Sequence, residues 1–120
     1  MKFKISILTI LLATILTPTA NAHSTLVASN PQSGTVISQL PQQVWLKFNE
    51  KLLVLGNKQV NRISLVGPKG EYLKNPITVA GEKISARLNL KSDVGSYKFI
   101  WRVVSEDGHV VSGSFKFTVR

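Results

Sequence analysis

Between Val44 and Val119, apolar residues recur at every second position in several short runs, and no segment shows a sustained helical period. Val44, Leu46 and Phe48 alternate with polar neighbours. Ile63 and Leu65 do the same, followed by Ile84, Ala86, Leu88 and Leu90. Tyr97, Phe99, Trp101 and Val103 form the longest run, and Phe115, Phe117 and Val119 close the chain. Successive side chains of a strand point to opposite faces, so this spacing marks strands with one buried face. Turn signals fall between the runs at Asn30-Pro31, Ser33-Gly34, Gly67-Pro68, Lys69-Gly70, Asn75-Pro76, Ala80-Gly81 and Val94-Gly95. Short strands at roughly ten-residue spacing predict an all-β, two-sheet sandwich. Trp45 and Trp101 are expected to supply much of its core. The Tyr97, Phe99 and Trp101 stripe reads as core packing and not as a ligand platform. Leu53 to Asn61 lacks the pattern and reads as a long loop.

The first residues follow a different rule. Lys2 and Lys4 precede an apolar run from Ile5 to Leu16, then Pro18 and Ala20-Asn21-Ala22. A charged start, a short apolar stretch and a small-x-small site make a secretory signal peptide. The run is shorter than the roughly 20 residues that span a bilayer. Residues 1–22 are therefore expected to be removed, leaving a domain of residues 23–120 that begins at His23. The only methionine, Met1, leaves with the signal, and the chain has no cysteine. A secreted domain of this size often relies on disulfides; here the core alone must hold the fold.

The formal net charge is +9. Its cations are scattered, and several (Lys47, Lys98, Lys116) alternate with apolar residues along expected strands. That is the pattern of solvated outer faces. A nucleic-acid interface would cluster basic residues with stacking aromatics, so no nucleic-acid partner is expected.

Few residues can carry chemistry. The chain has two histidines, His23 and His109, and six acidic residues, two of which lie in Ser105-Glu106-Asp107-Gly108-His109. An N-terminal histidine supplies two nitrogens from one residue, because its α-amine titrates at about 8 and can close a chelate ring with its own imidazole. A second histidine would complete a T-shaped set of three nitrogens. Nitrogen and oxygen donors in a tetragonal arrangement suit Cu(II). Asp107 and His109 are two apart and can point to one side, with Gly108 letting the backbone bend between them. Asp107 could bind the ion directly or orient an imidazole. Asp-Gly between two apolar runs is also a hairpin signal, and the two readings are compatible. No G-x-S-x-G elbow or phosphate-binding glycine loop is present.

These motifs resemble a known family. His23-Ser24-Thr25-Leu26-Val27-Ala28-Ser29-Asn30-Pro31 is similar to the mature start of the CopC/PcoC copper-resistance proteins. Leu46-Lys47-Phe48-Asn49-Glu50-Lys51-Leu52 resembles their L-x-F-S/N-E-x-L strand. The stretch from Gly95 to Gly113, containing Tyr97, Trp101, Val103-Val104-Ser105 and Asp107-Gly108-His109, resembles their longest signature. The resemblance covers all of residues 23–120. It implies a Greek-key β-sandwich or barrel of about seven strands, immunoglobulin-like or cupredoxin-like in shape, in the periplasm. It implies Cu(II) bound by the His23 amine and ring and by His109, with Asp107 beside them and Glu50 at an acidic position near the ion.

The implied role is to sequester or deliver copper without catalysis. A CopD-type inner-membrane copper transporter is the implied receiver, and a monomer is expected. Some members hold Cu(I) in a methionine-rich loop; Val54 to Thr78 contains neither Met nor His, so a Cu(II)-only site is expected. Two other readings stay open: a copper-dependent oxidative enzyme with a monooxygenase-like histidine brace, and a metal-free immunoglobulin-like interaction module.

Overall fold

The computed structural model describes residues 25–74, 76–89 and 91–120. The expected leader, His23 and Leu90 lie outside the described residues. Alternation decides what each strand buries. On β3 (Gln43–Phe48), Val44, Leu46 and Phe48 point inward and are fully buried. On β8 (Gly95–Val104) the inward residues are Tyr97, Phe99, Trp101 and Val103, and on β9 (Val110–Val119) they are Phe115, Phe117 and Val119. The other strands are β1 (Leu26–Asn30), β2 (Val36–Ile37), β4 (Arg62–Gly67), β5 (Gly70–Glu71), β6 (Ile77–Ala80) and β7 (Lys83–Arg87).

Two sheets form, in the orders β1-β3-β7-β6 and β2-β9-β8-β4-β5. All pairings are antiparallel except β2 with β9. The fold is thus the expected all-β sandwich. Its seven longer strands match the expected number, and the two extra ones hold two residues each. β1 escapes the period-two reading because it is an edge strand with a broken alternation and a register shift between Leu26 and Ala28, whereas β6 alternates, with Ile77 and Val79 packed on the core, but over only four residues.

Aromatic rings fill the space between the sheets. Tyr97 stacks on Phe117 at 5.3 Å, and Phe115 lies 5.6 Å from Phe99 and 5.7 Å from Trp101. Phe48 meets Trp101 edge-on at 6.4 Å, joining one sheet to the other. The expectation that Trp45 is core is wrong. Its neighbours Val44 and Leu46 take the inward positions, so Trp45 lies half-buried on the outer face, where Lys83 Nζ sits 4.4 Å from its ring centroid. An aromatic one position out of phase belongs to the opposite face.

The start of β8 is closed by a polar cluster. Tyr72 donates its hydroxyl to Asp93, Asp93 N–H donates to the Tyr97 oxygen at 3.0 Å, and Lys69 pairs with Asp93 at 3.2 Å. Burial, then the bond to Asp93, pushes the Tyr72 hydroxyl above its ordinary range. The Tyr72 hydrogen bond, with Lys69, holds the Asp93 carboxyl below the usual range against the opposing effect of burial.

Gly113 stands directly opposite Trp101. A Cβ there would lie 2.6 Å from Trp101 Cε2 and 3.0 Å from Nε1. The glycine that ends the longest motif is therefore the floor under the indole. Gly113→Ala is expected to lower stability by about 1–3 kcal/mol through overpacking, read as a lower melting temperature.

Candidate metal centre

β8 and β9 are joined by the turn that carries Asp107 and His109. Val104 and Val110 are the last pair. Beyond them Ser105 N–H donates to the His109 carbonyl at 3.0 Å, and Gly108 N–H donates to the Ser105 carbonyl at 2.9 Å. Gly108 has φ +87°, and no non-glycine residue has positive φ among the described residues. This is a three-residue loop with glycine at its left-handed position, so Asp107 keeps an ordinary conformation. The Asp-Gly signal does mark a hairpin.

The turn folds the Asp107 carboxylate back toward the strands. Its Oδ1 accepts the Ser105 hydroxyl and the His109 N–H, the latter at 3.1 Å. Its Oδ2 lies 2.7 Å from His109 Nδ1. The Ser105 hydroxyl, then the two His109 groups, hold the Asp107 pKa down to about 2. Asp107 is therefore a carboxylate at neutral pH, and a carboxylate can only accept. Nδ1 is then the nitrogen that donates, which leaves Nε2 as the ring nitrogen for a metal to take. A ligating histidine commonly donates its other nitrogen to a carboxylate in this way. The two side chains are 52% and 42% exposed.

A second segment runs beside this turn. Leu53 N–H donates to the Val104 carbonyl at 2.8 Å, and Glu106 N–H donates to the Lys51 carbonyl at 3.0 Å. Leu52 forms an isolated bridge with Ser105. The same segment binds the first described residue. Asn49 N–H donates to the Thr25 carbonyl at 3.0 Å, and Thr25 N–H donates to Asn49 Oδ1 at 2.6 Å. Glu50 is half-buried between these two ties. A continuous lacing therefore runs from Thr25 through Asn49 and Lys51 to Glu106.

Sequence reasoning missed Asn61, which holds this arrangement from below. It is fully buried, its Nδ2 donates to the Leu53 carbonyl at 2.9 Å, and its Oδ1 accepts Val104 N–H at 2.8 Å. A single asparagine closing an irregular stretch shows no periodicity that would flag it. The stretch it closes is the expected loop, which contains no strand longer than an isolated bridge.

The structure thus brings Asp107 and His109 into contact and sets Glu50 on the neighbouring segment. His23 lies outside the described residues. Among the described residues no group of three or more His, Cys, Asp or Glu is arranged to hold a metal.

A family model described as the CopC domain matches residues 26–120. The chain belongs to the CopC family. Copper resistance protein C of Escherichia coli is 32% identical over 110 residues, covering 84% of each chain. The copper transport protein CutJ of Bacillus subtilis is 30% identical over 119 residues, covering 94% of this chain and 21% of that protein. The crystal structure of CopC from Methylosinus trichosporium OB3b matches with a TM-score of 0.69 at 27% identity, covering 81% of this chain and 93% of that one. The Gly95–Gly113 motif in this CopC-family chain is therefore strand β8, the turn that holds Asp107 against His109, and the glycine under Trp101.

Proposed function

We propose that this CopC-family chain is a periplasmic copper carrier that binds one Cu(II) where the exported chain begins. In this reading His23 supplies its amine and ring, and His109 supplies Nε2. Asp107 fixes the His109 ring through Nδ1, and Glu50 flanks the ion. The observation that carries the reading is the tie between Thr25 and Asn49. It anchors the chain two residues after His23, on a segment bonded directly to the Asp107–His109 turn. Two residues of extended chain reach about 7 Å, which suits a second ligand arriving from that side.

The donor set favours the oxidised ion. Residues 25–120 contain no cysteine or methionine, so the soft sulfur that selects Cu(I) is absent and the nitrogen and oxygen donors of Cu(II) remain. The role is carriage without catalysis, with export and leader removal creating the amine ligand. Delivery to a CopD-type inner-membrane transporter is supported by the likeness to one fifth of a protein named for copper transport.

Mass spectrometry of the exported protein loaded with copper tests the reading. One copper per chain is expected, on a chain that starts at His23, with a tetragonal EPR spectrum. A chain that starts elsewhere and holds copper as firmly would refute the assignment of His23.

A further inference from the structure

We propose that the outer face of the β4–β8–β9 sheet docks on an anionic lipid bilayer, independently of the copper site. The face is read from register and exposure. Lys98 and Arg102 are both exposed, four apart on β8, and so share one side. Lys98 stands directly opposite Lys116, and Arg102 directly opposite Arg62. Between these two rows lie Ile100, Ser64 and Ser114 in a third register row. Four cations therefore occupy one outer sheet face as two opposed like-charge pairs, around a shallow depression lined by Ser64, Ile100 and Ser114.

Like charges directly opposite each other across strands are destabilising. Among the described residues none of these four cations forms an ion pair; the two pairs present are Lys69–Asp93 and His109–Asp107. Glu71, opposite Val66 at the edge of the face, accepts the Ser64 hydroxyl and the N–H groups of Leu65 and Leu73 at 3.0 Å. The other sheet provides a contrast. There Lys47 opposes Lys83, but Lys83 rests on the Trp45 ring, so part of that charge is met within the fold. Among the described residues the four cations of the β4–β8–β9 face have neither an ion pair nor a ring contact of this kind.

An anionic surface relieves this repulsion. Cations spread over two register rows, with a row of Ser64, Ile100 and Ser114 between them, complement an extended negative surface better than a single bound ion. The alternation of the cations with serines and one aliphatic residue suits lipid headgroups. Contact would be peripheral, as no helix among the described residues is long and apolar enough to cross a membrane. The Arg62–Arg102 row lies two residues from the Val104–Val110 pair that starts the Asp107–His109 turn. Docking by this face would hold that turn close to the bilayer.

Co-sedimentation of the exported, metal-free protein with phosphatidylcholine vesicles, with and without phosphatidylglycerol, tests this. Binding is expected only with phosphatidylglycerol and is expected to fall as salt rises. Each cation near such a surface strengthens binding roughly fivefold, so Lys98→Glu with Arg102→Glu should weaken it more than about twenty-fivefold. Lys47→Glu with Lys83→Glu changes the net charge equally on the opposite sheet and should leave binding within a few-fold of wild type. Both pairs are exposed, and unchanged far-UV circular dichroism would show that both variants fold. Equal losses in the two variants, no binding to phosphatidylglycerol, or tighter binding to soluble polyglutamate than to vesicles would each overturn the proposal.

Discussion

His109→Ala is expected to lower Cu(II) affinity by more than about a hundredfold while leaving the melting temperature of the metal-free protein nearly unchanged. The two effects separate because the turn is built by backbone groups. The His109 carbonyl accepts Ser105 N–H and its own N–H donates to Asp107, and alanine keeps both bonds. The ring itself is half-exposed, so its loss costs the fold within about 0.5 kcal/mol, as for ordinary surface changes. Copper, by contrast, loses a donor. Removing a group that merely orients a ligand costs roughly 10–100-fold, which is the expectation for Asp107→Ala, and loss of the ligand itself exceeds that.

A chain that retains one residue before His23 should match the His109→Ala loss with every described residue unchanged, because its amine no longer adjoins the His23 ring. Chelator competition measures all three. Thermal melts provide a second reading, since an ion held at 100 times its Kd adds about 2.7 kcal/mol to stability. Full affinity in the extended chain would rule out the amine as a donor.

The core was legible in the sequence because burial and strand period coincide there. The runs ending in Val103 and Val119 bury the residues their spacing names, from Tyr97 to Phe117. Trp45 is large and apolar but out of phase with the core: a tryptophan between the inward Val44 and Leu46 has to face outward. Edge strand β1 is illegible because its alternation is broken, and β6 because four residues are too few for its alternation to stand out. At the candidate site, Asp107 and His109 were legible from spacing alone. What spacing could not specify was the direction of the carboxylate, which turns to Ser105 and His109 because Gly108, not Asp107, takes the left-handed position. The tie from Thr25 to Asn49 was also out of reach, since it joins residues 24 apart through one backbone bond and one side-chain oxygen.

Asn61→Leu is expected to be the most damaging single change to stability outside the aromatic core, costing about 3 kcal/mol. Leucine fits the apolar surroundings but offers neither donor nor acceptor. The Leu53 carbonyl and Val104 N–H would then stay buried and lose their side-chain partner, at roughly 1–3 kcal/mol each. In a domain of this size about 3 kcal/mol lowers the melting temperature by more than about 10 °C. It is also a large share of the 5–15 kcal/mol by which domains are typically stable, and no disulfide is present to compensate. Asn61→Asp isolates the cause. A neutral acid can donate to Leu53 and accept from Val104, whereas a buried carboxylate faces the Leu53 carbonyl with like polarity and resists desolvation. Its folded pKa should therefore be raised, so stability is retained below the unfolded value of about 3.9 and lost as pH rises through the folded pKa. The leucine variant should show no such recovery on acidification. Because Asn61 joins the Leu53 segment to β8, amide exchange at Leu53 and Val104 should accelerate in the leucine variant before that of the core amides of β9. A melting temperature within about 2 °C of wild type would show that the segment beside the Asp107–His109 turn is held by its backbone bonds alone.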